Sequence, residues 1–409
     1  MTMRFGGPRV LLVGSMVTAL TGCGWGGGDD HATFGTPTSV VIADLNGDGV
    51  PDLALSTSIV ADDGSNRTGF ASVFLQSSSK RGTFQSPADN SAATGPSSIA
   101  VGDLTGSGAK DLVVANFNSA SVSVLLQTAP GSGKYQAATA YSVGGAPNEV
   151  QLADVNGDGK LDVIVADNAS TGRIVILPQD PANPGHFLAA ITLATPNSAS
   201  GVAVGDVNGD GKRDIVAATS DSSGNNGALI VFYQNPASPG AFLAPVTVPA
   251  GAQPITVKIA DMNGDGVADL VAANFGAGTD GVGSAGVSVV LQNAMAPGTF
   301  LAPVTYAAQS GTTHLVVMDV DGDTLPDVVT ANLGPSPSGS VSVLLQDATH
   351  PGTLKAAQSY AGFGQPLCVA VGDLDGDGRP DIAVADGETA TLMLQTPTPG
   401  VFSTGVQID

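Results

Sequence analysis

The sequence predicts an all-β chain closed into a seven-bladed β-propeller of four-stranded antiparallel blades, and three observations carry that prediction. A nine-residue Asp/Gly loop returns seven times, beginning at Asp44, Asp103, Asp154, Asp206, Asp261, Asp319 and Asp373, at intervals of 51 to 59 residues. Each copy is flanked by short runs of Val, Ile and Leu bounded by turn residues, enough for four strands per repeat. The composition is 42% hydrophobic and 12% charged, with 55 Gly and 26 Pro, which suits many apolar strands joined by turns and is too apolar for a disordered chain. A linear β-solenoid would use shorter repeats and need terminal caps, and the sequence has neither.

The second repeat displays the order of parts. A first strand, Ser98 to Gly102, leads into the loop at Asp103; Leu112 to Ala115 follows, ended by Asn116, and then a third strand, Val122 to Leu126, closing at Gln127. A Pro/Gly turn and an aromatic-led segment complete the unit: Gly133-Lys134-Tyr135 here, and Gly82-Thr83-Phe84, Gly185-His186-Phe187, Gly240-Ala241-Phe242, Gly298-Thr299-Phe300 and Gly400-Val401-Phe402 elsewhere, with Leu354 in the aromatic place of repeat six. Four and two residues ahead of each loop the first strand carries large aliphatics, as in Val40 and Ile42. One residue ahead it carries Ala or Gly in six repeats, with Met318 the exception. Strands converging on an axis have little room on one face, so this strand should be the innermost of each blade. The loops then share one face of the disc with the third-to-fourth-strand turns. The opposite face carries two long stretches between the second and third strands, Ser56 to Ala71 and Asn274 to Gly286, and length variation on a regular scaffold marks that face as the place for binding. A fourth strand for the last blade, Phe402 to Ile408, comes from the C-terminus. Ring closure should therefore be packing of blade seven on blade one without a strand swap, with at most a few edge bonds from His31 to Gly35.

The repeated loop, as in Asp154-Val155-Asn156-Gly157-Asp158-Gly159-Lys160-Leu161-Asp162, places oxygen side chains at positions 1, 3, 5 and 9. Glycines at 4 and 6 let the backbone turn tightly enough for those oxygens to converge on a hard cation. It matches the start of an EF-hand loop and lacks its bidentate Glu at position 12, which favours a loop between two strands. Asn-Gly and Asp-Gly also make turns without any ion. Three or four carboxylates in nine residues repel one another unless a cation is present, however, and this favours the metal reading. Positions 1, 3, 5 and 9 hold 22 of the 36 acidic residues, so the net charge of -22 is mostly local; seven bound Ca²⁺ would reduce it to about -8. With 14 Lys and Arg and no basic cluster, the chain is not built for nucleic acid.

The motif Asp-x-Asn/Asp-Gly-Asp-Gly-x-x-Asp, followed by an apolar strand, is similar to that of the FG-GAP or VCBS-like repeat family, related to the integrin α-subunit propeller, over residues 37 to 409. The resemblance implies Ca²⁺ held by the side chains at positions 1, 3, 5 and 9 and the carbonyl at position 7. In this chain those side chains are Asp44, Asn46, Asp48 and Asp52; Asp154, Asn156, Asp158 and Asp162; Asp206, Asn208, Asp210 and Asp214; Asp261, Asn263, Asp265 and Asp269; and Asp373, Asp375, Asp377 and Asp381. The loop of Asp319, Asp321, Asp323 and Asp327 has four carboxylates but puts Thr324 where Gly would take an unusual backbone angle. The loop at Asp103 keeps two carboxylates, with Thr105 and Ser107 between them, and should bind weakest or stay empty. Five to seven Ca²⁺ sites are expected.

Arg4 and Arg9 precede the apolar run Val10 to Leu20, and Leu20-Thr21-Gly22-Cys23 resembles a bacterial lipobox. Residues 1–22 are thus read as a lipoprotein signal peptide, 23–36 as a flexible tether lipidated at Cys23, and 37–409 as the propeller. That places the protein outside the cytoplasm, anchored by lipid to a bacterial membrane, as a monomer touching the membrane through its lipid only. Cys368, left without a partner, is expected as a buried free thiol.

For function, the sequence favours a non-catalytic calcium-binding scaffold presenting a face to a protein or glycan. A carbohydrate-active enzyme similar to polysaccharide lyases is the alternative. Four His and little acid outside the loops leave few groups for catalysis, and a lectin is disfavoured by the absence of Trp from the propeller. Glu149, Gln151, Lys258 and His314 break the small-residue pattern of the inner strands. They are either an axial site or the ordinary solvation of a central channel, with Glu149 and Lys258 pairing across it.

Overall fold

A computed structural model of the chain describes residues 35–60, 67–221, 227–276, 285–334 and 339–408. Residues 1–34 lie outside it, so the signal peptide, Cys23 and all but Gly35 of the stretch from His31 have no structural account. The described residues contain 28 strands in seven four-stranded antiparallel sheets and no helix. The first blade is β1 (Thr36–Ala43), β2 (Asp52–Val60), β3 (Arg67–Phe74) and β4 (Ala88–Ala92), paired in that order. The other six blades repeat it, and their first strands are β5 (Pro96–Gly102), β9 (Pro147–Ala153), β13 (Ser198–Gly205), β17 (Pro254–Ala260), β21 (Thr312–Met318) and β25 (Cys368–Gly372).

These first strands are the innermost, each against the next around the axis, with β25 against β1 to close the ring. The second strands, such as Asp111–Asn116 and Asp162–Asp167, are buried along their whole length. Each is central in its sheet and has neighbouring blades on both faces, which is why it reads as a continuous apolar run rather than an alternating one. The hydrophobic core is correspondingly divided among the seams between blades. At the closing seam Leu53, Leu55 and Phe74 of blade one pack on Cys368, Ala383, Leu392 and Ile408 of blade seven. The last blade is completed from the C-terminus as expected, though its outer strand is shorter, β28 at Val406–Ile408, with Phe402 joined separately to Gln395 by a single bridge.

Small residues one position ahead of the loop have a different cause from crowding at the axis. A methyl group on Gly102 would meet Leu152 and Leu161 at 2.8 Å, one on Gly205 would meet Ile259 at 3.1 Å, and one on Gly372 would meet Ile42 at 3.3 Å. The large aliphatic two positions ahead of the next blade's loop presses into the small residue, so the two halves of the pattern are one inter-blade contact. Met318, the exception, is exposed. A second correction concerns Ser56 to Ala71. Ser56–Val60 continues β2 and Arg67–Ala71 belongs to β3, paired from Ser56↔Ala71 out to Val60↔Arg67, so the stretch is mostly an extended hairpin around residues 61–66, which are not described. Of the stretch Asn274 to Gly286, residues 277–284 also lie outside the described residues.

Candidate functional site

Every loop is closed by the same strand pair, the residue before position 1 opposite position 9: Ala43↔Asp52 in the first blade, Gly372↔Asp381 in the last. Position 9 is fully buried in six loops and 1% exposed at Asp111, and both of its carboxylate oxygens accept backbone N–H groups in all seven. One N–H comes from position 2, at 2.8 to 3.1 Å, as from Leu45 to Asp52. The other comes from a glutamine at the end of the third strand, at 2.7 to 2.8 Å, as from Gln76 to Asp52. Burial pushes this carboxyl above the usual range in every loop even against those two bonds, to about 6 at Asp162, Asp269 and Asp327. A buried carboxylate with that tendency is well served by a cation beside it.

Position 1 organises the other half of the loop. Its Oδ2 accepts the N–H of position 6 at 2.8 to 3.0 Å in all seven copies, and its Oδ1 accepts that of position 4 in all but the loop at Asp103. Positions 4 and 6 take φ between +71° and +86°, which glycine adopts freely. Thr324 takes +73° in the sixth loop, so the strain expected from the sequence is there, and the loop closes in spite of it. The loop at Asp103 is equally informative. Without carboxylates at positions 3 and 5 it keeps the bonds made by positions 2 and 6, Leu104 to Asp111 at 2.9 Å and Gly108 to Asp103 at 2.8 Å. The backbone fold of the loop therefore does not require the extra charge.

A hard divalent cation fits the charge and chemistry of the remaining oxygens. Carboxylate oxygens of Asp319, Asp321 and Asp327 lie within 4.8 Å of one another, and so do those of Asp373, Asp375 and Asp377. In the first, fourth and fifth loops the position-3 Asn instead donates its amide to the position-5 carboxylate, at 3.3 Å from Asn46 to Asp48, 3.3 Å from Asn208 to Asp210 and 3.0 Å from Asn263 to Asp265. Loop seven is also faced by cationic side chains: Arg379 pairs with Asp377, and Arg81 of blade one lies over Gly376.

The glutamines are functional residues the sequence reading passed over. Gln76, Gln127, Gln179, Gln234, Gln292, Gln346 and Gln395 each donate Nε2 to the carbonyl of position 8 in their own loop. Four reach further, to the position-2 carbonyl of the preceding blade: Gln127 to Leu45 (2.8 Å), Gln234 to Val155 (2.6 Å), Gln292 to Val207 (2.8 Å) and Gln395 to Val320 (2.6 Å). The glycine turn that follows leans on position 3 of the preceding loop, with added methyls on Gly240 and Gly352 meeting Asn156 and Asn263 at 3.1 and 3.2 Å. Each loop is thus built into a seam between blades. The signal that could have found this was a glutamine at the same place in all seven repeats.

At the axis the four sequence candidates do come together around one channel, with cavities of about 310 and 280 Å³ that share Gln151, Lys258 and Val316. Glu149 reaches from β9 past β13 to Lys258 on β17: its Oε1 accepts Lys258 Nζ at 3.1 Å and Gln151 Nε2 at 3.4 Å, and its Oε2 accepts Val202 N–H at 3.1 Å. Gly201 leaves the room for that crossing, since a methyl there would stand 3.0 Å from the carboxylate. His314 Nδ1 accepts Val369 N–H at 3.4 Å; burial first, then the Lys258 charge, holds its imidazole neutral, well below the ordinary pKa. Away from the loops lies a smaller axial cavity of about 60 Å³. There Thr38, Ser97, Asn148 and Thr313, which the bulged register of the inner strands leaves unpaired, donate side chains across the seams to Pro96, Pro147, Ser200 and Pro366 carbonyls at 2.7 to 3.1 Å. Cys368 is a buried free thiol, as expected, with its pKa raised by burial.

A family model described as FG-GAP-like repeat matches residues 103–165, 154–217, 206–272 and 319–384. No curated protein matches the chain. Among solved structures, a putative 6-phosphogluconolactonase from Bacteroides uniformis is 16% identical, with a TM-score of 0.58 over 86% of this chain and 95% of that one. BBS1N, crystallised in complex with ARL6DN and soaked with mercury, is 13% identical, with a TM-score of 0.54 over 88% and 91%. At such identities the likeness is one of fold.

Proposed function

The chain belongs to the FG-GAP-like repeat family, and on that premise we propose that it is a non-catalytic scaffold whose blades are stapled at their seams by Ca²⁺. The observation that carries this reading is the convergence of carboxylates in loops at the seams: Asp319, Asp321 and Asp327 lie in a loop tied by Gln395 to the next blade, and Asp373, Asp375 and Asp377 in a loop that Arg81 and Gly82 of blade one adjoin, so a cation in either would tighten a seam rather than a mobile tip. In the remaining four full loops the ligands would be those at positions 1, 3, 5 and 9. There, a cation facing Asn46, Asn208 or Asn263 requires the amide to present its oxygen in place of its nitrogen. The ion supplies charge neutralisation at carboxylates that burial disfavours. Titration calorimetry of the chelator-stripped protein with Ca²⁺ tests this: five or six sites with a raised melting temperature are expected, and absence of heat together with an unchanged melting temperature would refute it.

The partner face would be the one opposite the loops, where the stretches 56–71 and 274–286 are long, and the partner a protein or glycan. Lipidation at Cys23, with anchorage to a bacterial membrane outside the cytoplasm, is part of the same proposal, and mass spectrometry of the mature N-terminus tests it. Catalysis on carbohydrate is the competing reading. Glu149 is the only axial carboxylate among the described residues, and it is engaged by three donors, which supports the non-catalytic reading. A screen of polysaccharides for unsaturated products or new reducing ends decides between them.

A further inference from the structure

The axial channel combines features that a passive gap between blades does not need. Its wider part, about 310 Å³, lies toward the loop face and has room for about ten water molecules at roughly 30 Å³ each. Val41, Ile42, Val316 and Val371 give it apolar walls. At its floor stands one charge of each sign, Lys258 and Glu149, 23% and 12% exposed at their side chains. The ammonium has three protons and uses one on Glu149. His314 accepts at Nδ1, which leaves its proton on Nε2, and no hydrogen bond from that nitrogen or to Gln151 Oε1 is found among the described residues. The floor therefore offers spare donors beside Lys258 and His314, and spare acceptors at Gln151 and Glu149.

We propose that this well binds a small zwitterion, an α-amino acid with an aliphatic side chain. Its carboxylate takes the spare protons of Lys258 and His314, its ammonium takes Glu149 and Gln151, and its side chain lies on the valine walls. A bare carboxylate is a poorer match because Glu149 already balances Lys258 and the whole chain is strongly acidic, with a net charge of -22. A dianionic phosphate is poorer still. A zwitterion inserts into an ion pair without changing its net charge.

The test is calorimetry and ligand-observed NMR on the mature protein in millimolar Ca²⁺, with valine and alanine as probes and lactate and isopropylamine as single-charge controls. Valine is expected to bind at least about tenfold tighter than either control. In Glu149→Gln the order should reverse toward lactate, because Lys258 is freed while the partner of the ammonium is lost. A purely structural ion pair predicts no such reversal. The double variant Glu149→Gln/Lys258→Gln, which leaves no orphaned charge, should bind none of them while keeping its circular dichroism. No valine binding in the millimolar range would overturn the proposal. Valine binding unchanged in the double variant would also overturn it, by placing the ligand on a loop cation instead.

Discussion

Replacing Gln292 by Met measures what a glutamine's further side-chain bonds, to the preceding blade and to its own turn, add to the bond within its loop. Gln292 Nε2 donates to Ala268 O at 2.5 Å within its own loop and to Val207 O at 2.8 Å in the preceding blade, and its Oε1 accepts Gly298 N–H at 2.5 Å. Gln179, equally buried, makes one counterpart of these, Nε2 to Leu161 O at 2.9 Å. In both residues the backbone N–H keeps its bond to position 9, so methionine, of similar length, removes the side-chain bonds alone. At about 1 kcal/mol net per bond, with more for each polar group left orphaned, Gln292→Met should cost about 3 to 5 kcal/mol and Gln179→Met about 1 to 2. The difference of about 2 kcal/mol is the prediction. Urea unfolding followed by far-ultraviolet circular dichroism, in saturating Ca²⁺, measures it. Equal costs within about 0.5 kcal/mol, or the reverse order, would show that the bonds to Val207 and Gly298 together add nothing to the bond within the loop.

Three further outcomes are expected. In chelator-stripped protein the position-9 carboxyls, raised to about 6 at Asp162, Asp269 and Asp327, have folded pKa values above their unfolded ones. Their contribution is therefore fully present below about pH 4 and lost as the pH rises through about 6, so the stripped protein should be more stable at pH 5 than at pH 7.5, and Ca²⁺ should abolish that difference; denaturant midpoints at the two pH values check it. Thr324→Gly relieves a φ of +73° and should stabilise the protein by about 0.5 to 1 kcal/mol while tightening Ca²⁺ binding at the sixth loop. Iodoacetamide should leave Cys368 unmodified in the native protein and label it after denaturation, read by mass spectrometry, because the thiol is 5% exposed and burial raises its pKa.

Repetition made most of the fold legible. Seven copies of one loop fix strand number and blade number together, and the central strands declare themselves by being apolar on both faces. The paired small and large positions ahead of each loop were visible too, as at Gly102 and Leu152, but their meaning was not, because the contact runs between residues of different repeats. Glu149, Lys258 and His314 stood out as exceptions to a pattern, and their meeting at one channel needed coordinates. Gln292 was in plain view at the end of a strand, and nothing local distinguishes a strand-ending glutamine from one that crosses to the preceding blade. The stretch from Ser56 to Ala71 was read as a long loop, whereas Ser56, Thr57 and Ser58 are buried and the runs Ser56–Val60 and Arg67–Ala71 are paired as strands.

By itself the sequence determined the all-β class, the four-stranded repeat, the count of seven and the oxygen-rich chemistry of the loops, all of which follow from spacing along one chain. Tertiary structure alone decided that position 9 is clasped by two backbone N–H groups, that the glutamines tie loops to neighbouring blades, and that one lysine and one glutamate from blades three and five share a well. Those facts depend on which repeats lie side by side and how their strands twist, and a one-dimensional pattern identical in every repeat carries no record of what faces it across a seam.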